Sequence, residues 1–294
     1  MPNNYLSDPI LDHLTRWAED QPLVRAMILT STRALPNTTP DVFSDYDVIL
    51  ALSDVRPFFE SRDWLAAFGT VLVMYRDPLD TRDGFLQSGN VVQFEEGLKI
   101  DFSLWSVEIL QQITADLSLP AEFDAGYRVL LDKDGLTRGL QPPTYKAYIP
   151  HPPTETEYLE AIEDSFLVAT YVAKYLQRGD PIAAWHILDT FLKQEHLLPL
   201  LVWHFEIEQG WTVKPGLHGR RIQQHLRPDL YADLLSTYIG AGYDESWEAL
   251  YKTFALLHKA ALEVGNRLGF AYPEEMERRT LAYLQKIKNH ARIR

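Results

Sequence analysis

The chain has 294 residues, of which 46% are hydrophobic and 23% are charged, so it can bury two cores and is not disordered as a whole. Its formal net charge of −13 disfavours nucleic acid as the main partner and favours cationic ligands, although acidity that serves only solubility is the open alternative. The absence of cysteine excludes disulfides and thiolate chemistry.

The N-terminal residues and the longest apolar run argue against export and membrane insertion. Residues 1–5 have neither a basic region nor an apolar core, and the longest apolar run, around residues 200–203, is too short to cross a bilayer. We therefore expect a soluble cytoplasmic protein with no membrane partner.

The first elements predicted are a helix and two strands. Ser7, Asp8 and Pro9 form a capping pattern, and apolar residues then recur at helical spacing up to residue 19. Residues 24–30 favour a strand, and a second strand begins at residue 44 after a proline-containing loop. Strands joined by such a loop are often sheet neighbours, which would bring Ser31 and Thr32 close to the second strand.

The second strand begins with two aspartates. Alternation in a strand puts Asp45 and Asp47 on one face and Tyr46 on the other, and an apolar run follows directly. The two carboxylates could hold a hard divalent cation between them. The alternative is a pair of solvated turn residues that open the strand.

A third carboxylate is predicted further along the chain. Residues 57–68 favour a helix ending at Gly69, and residues 71–75 favour a strand. Residues 91–94 and 98–105 flank Glu95-Glu96-Gly97 and predict a hairpin. Asp101 lies on the polar face of its second strand, and the alternative is a solvated residue on an exposed sheet face.

Together these residues suit transfer of a phosphoryl or nucleotidyl group. Mg²⁺ prefers oxygen ligands and keeps substrate phosphates in its shell, so aspartates and a triphosphate can complete its coordination. A third carboxylate could bind a second metal ion or accept the proton of an attacking hydroxyl. The sequence contains no phosphate-loop, dinucleotide-binding, G-x-S-x-G or H-E-x-x-H motif.

The second half of the chain is predicted to be helical. A proline cluster within residues 142–153 indicates a junction between domains 1–150 and 151–294. Thr154 and Glu157 form a capping box for a helix that ends before Gly179. Asp180 and Pro181 are predicted to cap a helix through residue 209, and further helices are predicted at 229–238, 244–268 and 273–287.

The chain resembles the aminoglycoside 6-adenylyltransferases (streptomycin adenylyltransferases) of the nucleotidyltransferase superfamily over nearly its whole length. The matching segments are 43–47, 63–65 with 68–69, 99–104, 129–134, 170–172 with Lys174, 203–204 and 236–238. This resemblance implies an α+β fold class: an N-terminal nucleotidyltransferase-fold mixed sheet with flanking helices, followed by an all-helical C-terminal domain, with the substrate between them.

The resemblance also implies the reaction and the site. The reaction is transfer of AMP from Mg-ATP to a hydroxyl of streptomycin, with release of pyrophosphate and antibiotic resistance as the result. Asp45, Asp47 and Asp101 would be the catalytic and Mg²⁺-binding carboxylates, with Asp101 as ligand or general base. The implied nucleotide-binding residues are Ser31, Thr32, Arg33, Lys174 and Arg220, and the implied substrate-binding residues are Asp164, Tyr171 and Trp203.

Several of these assignments have alternatives. Asp164 stands where the family carries a glutamate and could contact substrate, act as base or be solvated, while Tyr171 and Trp203 could be core residues. Ser31 replaces a family glycine, and its Cβ is expected to weaken ATP binding or to shift the nucleotide, while Leu217 replaces an expected lysine. A homologue with another acceptor or nucleotide, or a weakly active sensor of nucleotide or cationic ligand, is the alternative function. Oligomeric state is left open.

Overall fold

The computed structural model describes residues 8–36, 38–213 and 215–290. The chain divides into two compact units, Met1–Ala147 and Tyr148–Arg294. The strands of the first unit are β1 (Val24–Thr30), β2 (Tyr46–Leu52), β3 (Val71–Arg76), β4 (Asp80–Arg82), β5 (Phe85–Phe94), β6 (Lys99–Ser106) and β7 (Tyr127–Asp132). Its helices are α1 (Pro9–Asp20), α2 (Arg56–Glu60), α3 (Val107–Ala115) and α4 (Ala121–Asp124), with 3₁₀ turns at Ser31–Ala34 and Asp63–Phe68.

The seven strands of the first unit form one mixed sheet. The order is β3-β5-β6-β2-β1-β7, and β4 pairs with β5. β2 and β6 run parallel, whereas the other pairs are antiparallel. The expected mixed sheet with flanking helices is therefore confirmed, and so are the predicted hairpin of β5 and β6 and the pairing of β1 with β2.

Apolar residues cover both faces of this sheet. One core contains residues of α1 together with Val48 of β2 and Phe102 of β6. The other contains residues of α3 together with Ile49 of β2 and Trp105 of β6. Because residues alternate between the faces, Asp47 and Asp101 lie on the α3 side of the sheet, at the N-terminal ends of their strands.

The start of α1 confirms the predicted cap in part. The Asp8 carboxylate accepts hydrogen bonds from the backbone amides of Ile10 and Leu11, at 3.0 and 3.3 Å, and Pro9 occupies the first turn. Ser7, the other residue of the predicted pattern, lies outside the described residues.

The single helix predicted over residues 57–68 is wrong. The chain forms α2, leaves helical geometry at Ser61, where ψ is 150°, and then forms a separate 3₁₀ turn up to Phe68. The Ser61 hydroxyl accepts a hydrogen bond from the Asp63 amide, and the Trp64 indole donates to the Phe58 carbonyl. These side-chain bonds satisfy the backbone groups that a continuous helix would have used.

The described part of the second unit contains helices and no strand, as predicted. Its elements are α5 (Glu155–Arg178), α6 (Pro181–His186), a π-helical segment (Ile187–Leu197), α7 (Leu198–Gln209), α8 (Pro228–Ser236), α9 (Tyr243–Leu268) and α10 (Glu274–Lys288), with short 3₁₀ turns at Leu217–Gly219 and Ile222–Gln224. The capping box of Thr154 and Glu157 and the left-handed Gly179 at the end of α5 are both confirmed.

The predicted regular helix over residues 181–209 is corrected by the π-helical segment in its middle. Pro199 lies just after that segment. A proline cannot donate a helical hydrogen bond, and its ring clashes with the carbonyl four residues earlier. The backbone before Pro199 therefore departs from regular α-helical geometry. Asp180 occupies the N-cap position, but its side chain makes no capping hydrogen bond.

No helix in the described ranges is long and apolar enough to cross a membrane. The buried His204 imidazole lies 2.6 Å from the Glu263 carboxylate.

Gly265 of α9 packs closely against Tyr158 of α5. A Cβ at this position would lie 2.5 Å from the Tyr158 hydroxyl and 3.0 Å from the Phe270 carbonyl oxygen. The Tyr158 hydroxyl is buried and donates a 2.8 Å hydrogen bond to the Ala261 carbonyl, so it cannot move away without losing a partner.

We expect Gly265→Ala to lower the free energy of unfolding by about 1–2 kcal/mol, because overpacking outweighs the gain of about 1 kcal/mol that alanine normally gives in a helix. Urea denaturation measures this change. Asn266→Ala, at the exposed neighbouring position, is the control and should not destabilise the protein. A more stable Gly265→Ala protein would contradict the packing described for α5 and α9.

Candidate active site

The three predicted carboxylates come from two parallel neighbouring strands. Asp47 of β2 and Asp101 of β6 are direct partners in the strand register. Asp45 lies one residue before β2. On the other side of β2, Thr30 pairs with Asp47, so Ser31 follows at the same end of the sheet. The parallel pairing thus brings together residues that are more than 50 positions apart in the sequence.

Lys99 joins two of these carboxylates. Its ammonium lies 2.6 Å from Asp45 Oδ2 and 3.0 Å from Asp101 Oδ2. Burial lowers the pKa of Lys99, but the hydrogen bonds to Asp45 and Asp101 outweigh this effect and its pKa is raised, so the side chain is charged. The lysine therefore neutralises part of the acidic cluster.

Asp47 is buried beside Asp101, and its pKa is shifted from the usual value. Burial raises its pKa to about 6, and the negative charge of Asp101 adds to this effect. A hydrogen bond from the Ser31 side chain acts in the opposite direction but does not cancel the increase. Burial and the neighbouring carboxylate therefore both favour the protonated form of Asp47.

One oxygen of Asp101 indicates whether a cation fits among the three carboxylates. Asp101 Oδ1 is buried and has no hydrogen-bond partner among the described residues. A carboxylate pair with an uncompensated oxygen is a suitable donor set for a hard divalent cation. Within the described part of the chain, however, no three histidine or acidic side chains are already arranged around a common metal position.

Ser31 adopts the left-handed conformation that a glycine would favour, with φ of +61°. This conformation costs a non-glycine residue about 1–2 kcal/mol. The serine hydroxyl gives a compensating hydrogen bond to Asp47. Thr32, next to it, accepts a 2.6 Å hydrogen bond at its carbonyl from the Thr38 hydroxyl, which fixes the turn.

Arg33 holds the loop that leads into the aspartates. Its guanidinium donates to the carbonyls of Ser44 and Asp45 at 2.9 and 3.1 Å, and stacks 3.8 Å from the centre of the Tyr46 ring. It also forms a 3.3 Å ion pair with Asp8. The predicted triphosphate contact of Arg33 remains a prediction, since in this structure its donors are directed at the protein itself.

An open pocket of about 700 Å³ lies beside Asp45 and Lys99. Its wall includes the largely exposed side chains of Val42 and Phe43, on the loop that Arg33 holds. The pocket is therefore lined by charged side chains next to apolar ones, and all of them belong to the first unit.

The remaining predicted residues lie in the second unit, and one contact joins two of them. The Lys174 ammonium lies 4.4 Å from the centre of the Tyr171 ring, and both residues belong to α5. Asp164 is exposed and its charge acts on His196. Trp203 packs against the helical core, and Arg220 is exposed after the first of the two 3₁₀ turns. Their ligand-binding roles stay predictions.

Two residues of the site were missed by the sequence interpretation. Lys99 lies two positions before Asp101 in an alternating strand and hence on the same face, a signal that could have identified it. Asp8 was recognised only as a helix cap, yet it also pairs with Arg33 and accepts a hydrogen bond from the Tyr46 hydroxyl. Nothing in the local sequence indicates that second role.

Comparison with known proteins identifies the class to which this sheet and its carboxylates belong, that of the nucleotidyltransferases. Residues 7–287 match the profile of the streptomycin adenylyltransferase family, and the chain belongs to that family. It is therefore an enzyme of the nucleotidyltransferase class.

Named relatives and a solved structure are similar along most of the chain. The aminoglycoside 6-adenylyltransferase of Bacillus subtilis (strain 168) is 28% identical over 269 residues, which cover 90% of this chain and 92% of the relative. The aminoglycoside 6-adenylyltransferase of Campylobacter jejuni is 26% identical over 287 residues, which cover 96% of this chain and 93% of the relative. A crystal structure of an aminoglycoside 6-adenyltransferase from Bacillus subtilis is similar over 96% of this chain and 98% of that one, at 23% identity and a TM-score of 0.48.

The raised pKa of Asp47 predicts a specific pH dependence of stability. The folded protein holds this proton more tightly than the unfolded chain, whose aspartates titrate near 4, so the contribution of Asp47 to stability is lost as pH rises from about 4 through about 6. We expect Asp47→Asn to remove this penalty and to raise the unfolding midpoint at pH 7.5 by roughly 4 °C, corresponding to about 2 kcal/mol.

Thermal unfolding in metal-free buffer between pH 4 and pH 7.5 tests this prediction. The gain from Asp47→Asn should largely disappear at pH 4, where the wild-type carboxyl is protonated in the folded protein and about half protonated in the unfolded chain. Asp63→Asn, at an exposed position of the same unit, should leave the midpoint unchanged at every pH. A gain that is equal at both ends of the range would contradict the electrostatic origin.

Proposed function

We propose that this protein transfers AMP from ATP to a hydroxyl of an aminoglycoside such as streptomycin, with release of pyrophosphate, and so confers resistance to that antibiotic. The observation that carries the proposal is the parallel pairing of Asp47 with Asp101 at the end of the sheet where the Ser31 turn lies, with Asp45 and Lys99 in the wall of an open pocket. Membership of the streptomycin adenylyltransferase family and the names of the relatives support the choice of reaction.

The proposed cofactor is Mg²⁺, held by Asp45, Asp47 and Asp101. When bound, it would neutralise charge on the triphosphate and on the departing pyrophosphate. The burial of Asp47 beside Asp101, which raises the pKa of Asp47, and the unpartnered Asp101 Oδ1 support this assignment, because a bound cation would offset the cost of burying these charges.

In the proposed reaction the oxygen of the acceptor hydroxyl forms a bond to the α-phosphorus of ATP. The bond from that phosphorus to the β-phosphate oxygen breaks, and pyrophosphate leaves with the electron pair. The hydroxyl proton is accepted by a carboxylate of the cluster, which completes the proton balance of the step. Arg33 holds the backbone of Asp45 in place for this step.

The proposed acceptor is cationic, and the charge of the protein is consistent with that. A net charge of −13 attracts an aminoglycoside and raises its encounter rate at low ionic strength. In the second unit, Asp164 is the proposed substrate contact, since its carboxylate is exposed on α5. Tyr171 and Trp203 are proposed to contact the same ligand, and Lys174 and Arg220 the phosphates.

The assay is pyrophosphate release from ATP with and without streptomycin, together with mass spectrometry of the antibiotic. We expect release that depends on both Mg²⁺ and streptomycin, and a product heavier by one AMP group. Asp47→Asn should reduce kcat/KM by about 10²- to 10³-fold, because charge stabilisation in the transition state is lost. Asp63→Asn is the control and should retain full activity.

Other outcomes of this assay separate the alternatives. Turnover with GTP or with another hydroxylated cation, but not with ATP and streptomycin, would indicate a homologue of different specificity. Binding of both ligands without turnover would indicate a sensor. Unchanged activity in Asp47→Asn would remove the metal-site assignment.

Ser31 provides a second test of the nucleotide site. We expect Ser31→Gly to lower the apparent KM for ATP, because glycine adopts the positive φ without strain and removes the Cβ beside the turn amides. Ser31→Ala keeps the Cβ and the strain but loses the hydroxyl, so it should raise the KM. Steady-state kinetics of the two variants give the comparison, and a Ser31→Gly enzyme poorer than Ser31→Ala would mean that the turn does not receive phosphate.

A further inference from the structure

Lys99 occupies the position between two of the three carboxylates. One ammonium bridges Asp45 Oδ2 and Asp101 Oδ2, and all three side chains are only 29–38% exposed. Such partly buried pairs are screened less than surface pairs, so each contact has a real electrostatic effect. Removing the ammonium would leave three negative groups at one end of the sheet.

The contacts of Lys99 also use the oxygens that a divalent cation would need. An ammonium and a divalent cation compete for the same carboxylate oxygens, since both are attracted by the same charge. This competition agrees with the absence of a preformed three-residue metal cluster in the described ranges of the chain. The ion pairs of Lys99 are with Asp45 and Asp101, and its charge acts on Asp47 only at longer range.

Lys99 lines the open pocket beside the carboxylates as well. Its alkyl chain begins on β6, two residues before Asp101, so a change of rotamer can move the ammonium without moving the strand. Once released from Asp45 and Asp101, the ammonium remains beside the pocket as a cation able to bind phosphate oxygens.

We propose that Lys99 is a resident counter-ion of the acidic cluster, which leaves Asp45 and Asp101 when a divalent cation binds and then contacts the anionic ligand that arrives with it. This inference rests on the proposed function, because it assumes that the cluster receives a metal ion and a polyphosphate. Its consequence is that Lys99 opposes binding of metal alone and favours binding of the triphosphate.

The test measures binding rather than turnover. Binding of Mn²⁺ without nucleotide is followed by the electron paramagnetic resonance signal of the free ion, for wild type, Lys99→Met and Lys99→Arg. We expect Lys99→Met to bind Mn²⁺ about tenfold more tightly than wild type, and Lys99→Arg to remain close to wild type because the charge is kept. Arg56→Met, which removes one exposed charge after the opposite end of β2, is the matched control and should change nothing.

In a second measurement, Lys99→Met should change ligand affinity in the opposite direction. At saturating Mn²⁺, calorimetric titration with a non-hydrolysable ATP analogue should show about tenfold weaker binding to Lys99→Met than to wild type. In metal-free buffer Lys99→Met should also have a lower unfolding midpoint, restored by Mn²⁺. If Lys99→Met does not fold, Lys99→Gln, which keeps a hydrogen-bond donor but no charge, takes its place with the same expectations.

The possible failures are distinguishable. Unchanged or weaker Mn²⁺ binding in Lys99→Met overturns the counter-ion role of Lys99 and leaves the metal site standing. Mn²⁺ binding that is unaffected by Asp47→Asn and Asp101→Asn overturns the metal site of the proposed function, and the role of Lys99 with it. Tighter Mn²⁺ binding with unchanged binding of the analogue overturns the phosphate contact.

Discussion

Repulsion among carboxylates is the constraint around which the first unit is arranged. β2 and β6 pair in parallel, and this register places Asp47 directly beside Asp101 at the end of a buried sheet. The Lys99 ammonium and the Ser31 hydrogen bond oppose this repulsion, but burial together with the charge of Asp101 still raises the pKa of Asp47 to about 6. A site that lowers the stability of its own fold in this way is typical of catalytic pockets.

The surroundings of the cluster hold it in this costly arrangement. Asp8 links the start of α1 to the Arg33 guanidinium and the Tyr46 hydroxyl, and Arg33 in turn holds the carbonyls before and at Asp45. Helix capping, loop geometry and the position of the first carboxylate therefore depend on one connected set of bonds. Substitution of Asp8 or Arg33 would act on the site through the backbone rather than through lost contacts to a ligand.

Much of the fold could be predicted because its signals are local. The alternation in β6, the Glu95-Glu96-Gly97 turn and the capping box of Thr154 each depend on residues within a few positions of one another. The predictions failed where a local pattern competes with other bonds. At Ser61 side-chain hydrogen bonds interrupt a helical pattern, and near Pro199 the backbone changes to π-helical geometry inside an apolar helix.

The sequence by itself determined which residues carry the charges and which strand faces are apolar, because composition and alternation are properties of the chain alone. It also carried the family resemblance, which rests on the matching segments. Only the tertiary structure decided that β2 lies parallel to β6, that Lys99 bridges Asp45 and Asp101, and that Arg33 is directed at the protein. These facts depend on pairing between segments distant in sequence. Their energies come from burial and from distances between charges, and neither quantity exists before the chain folds.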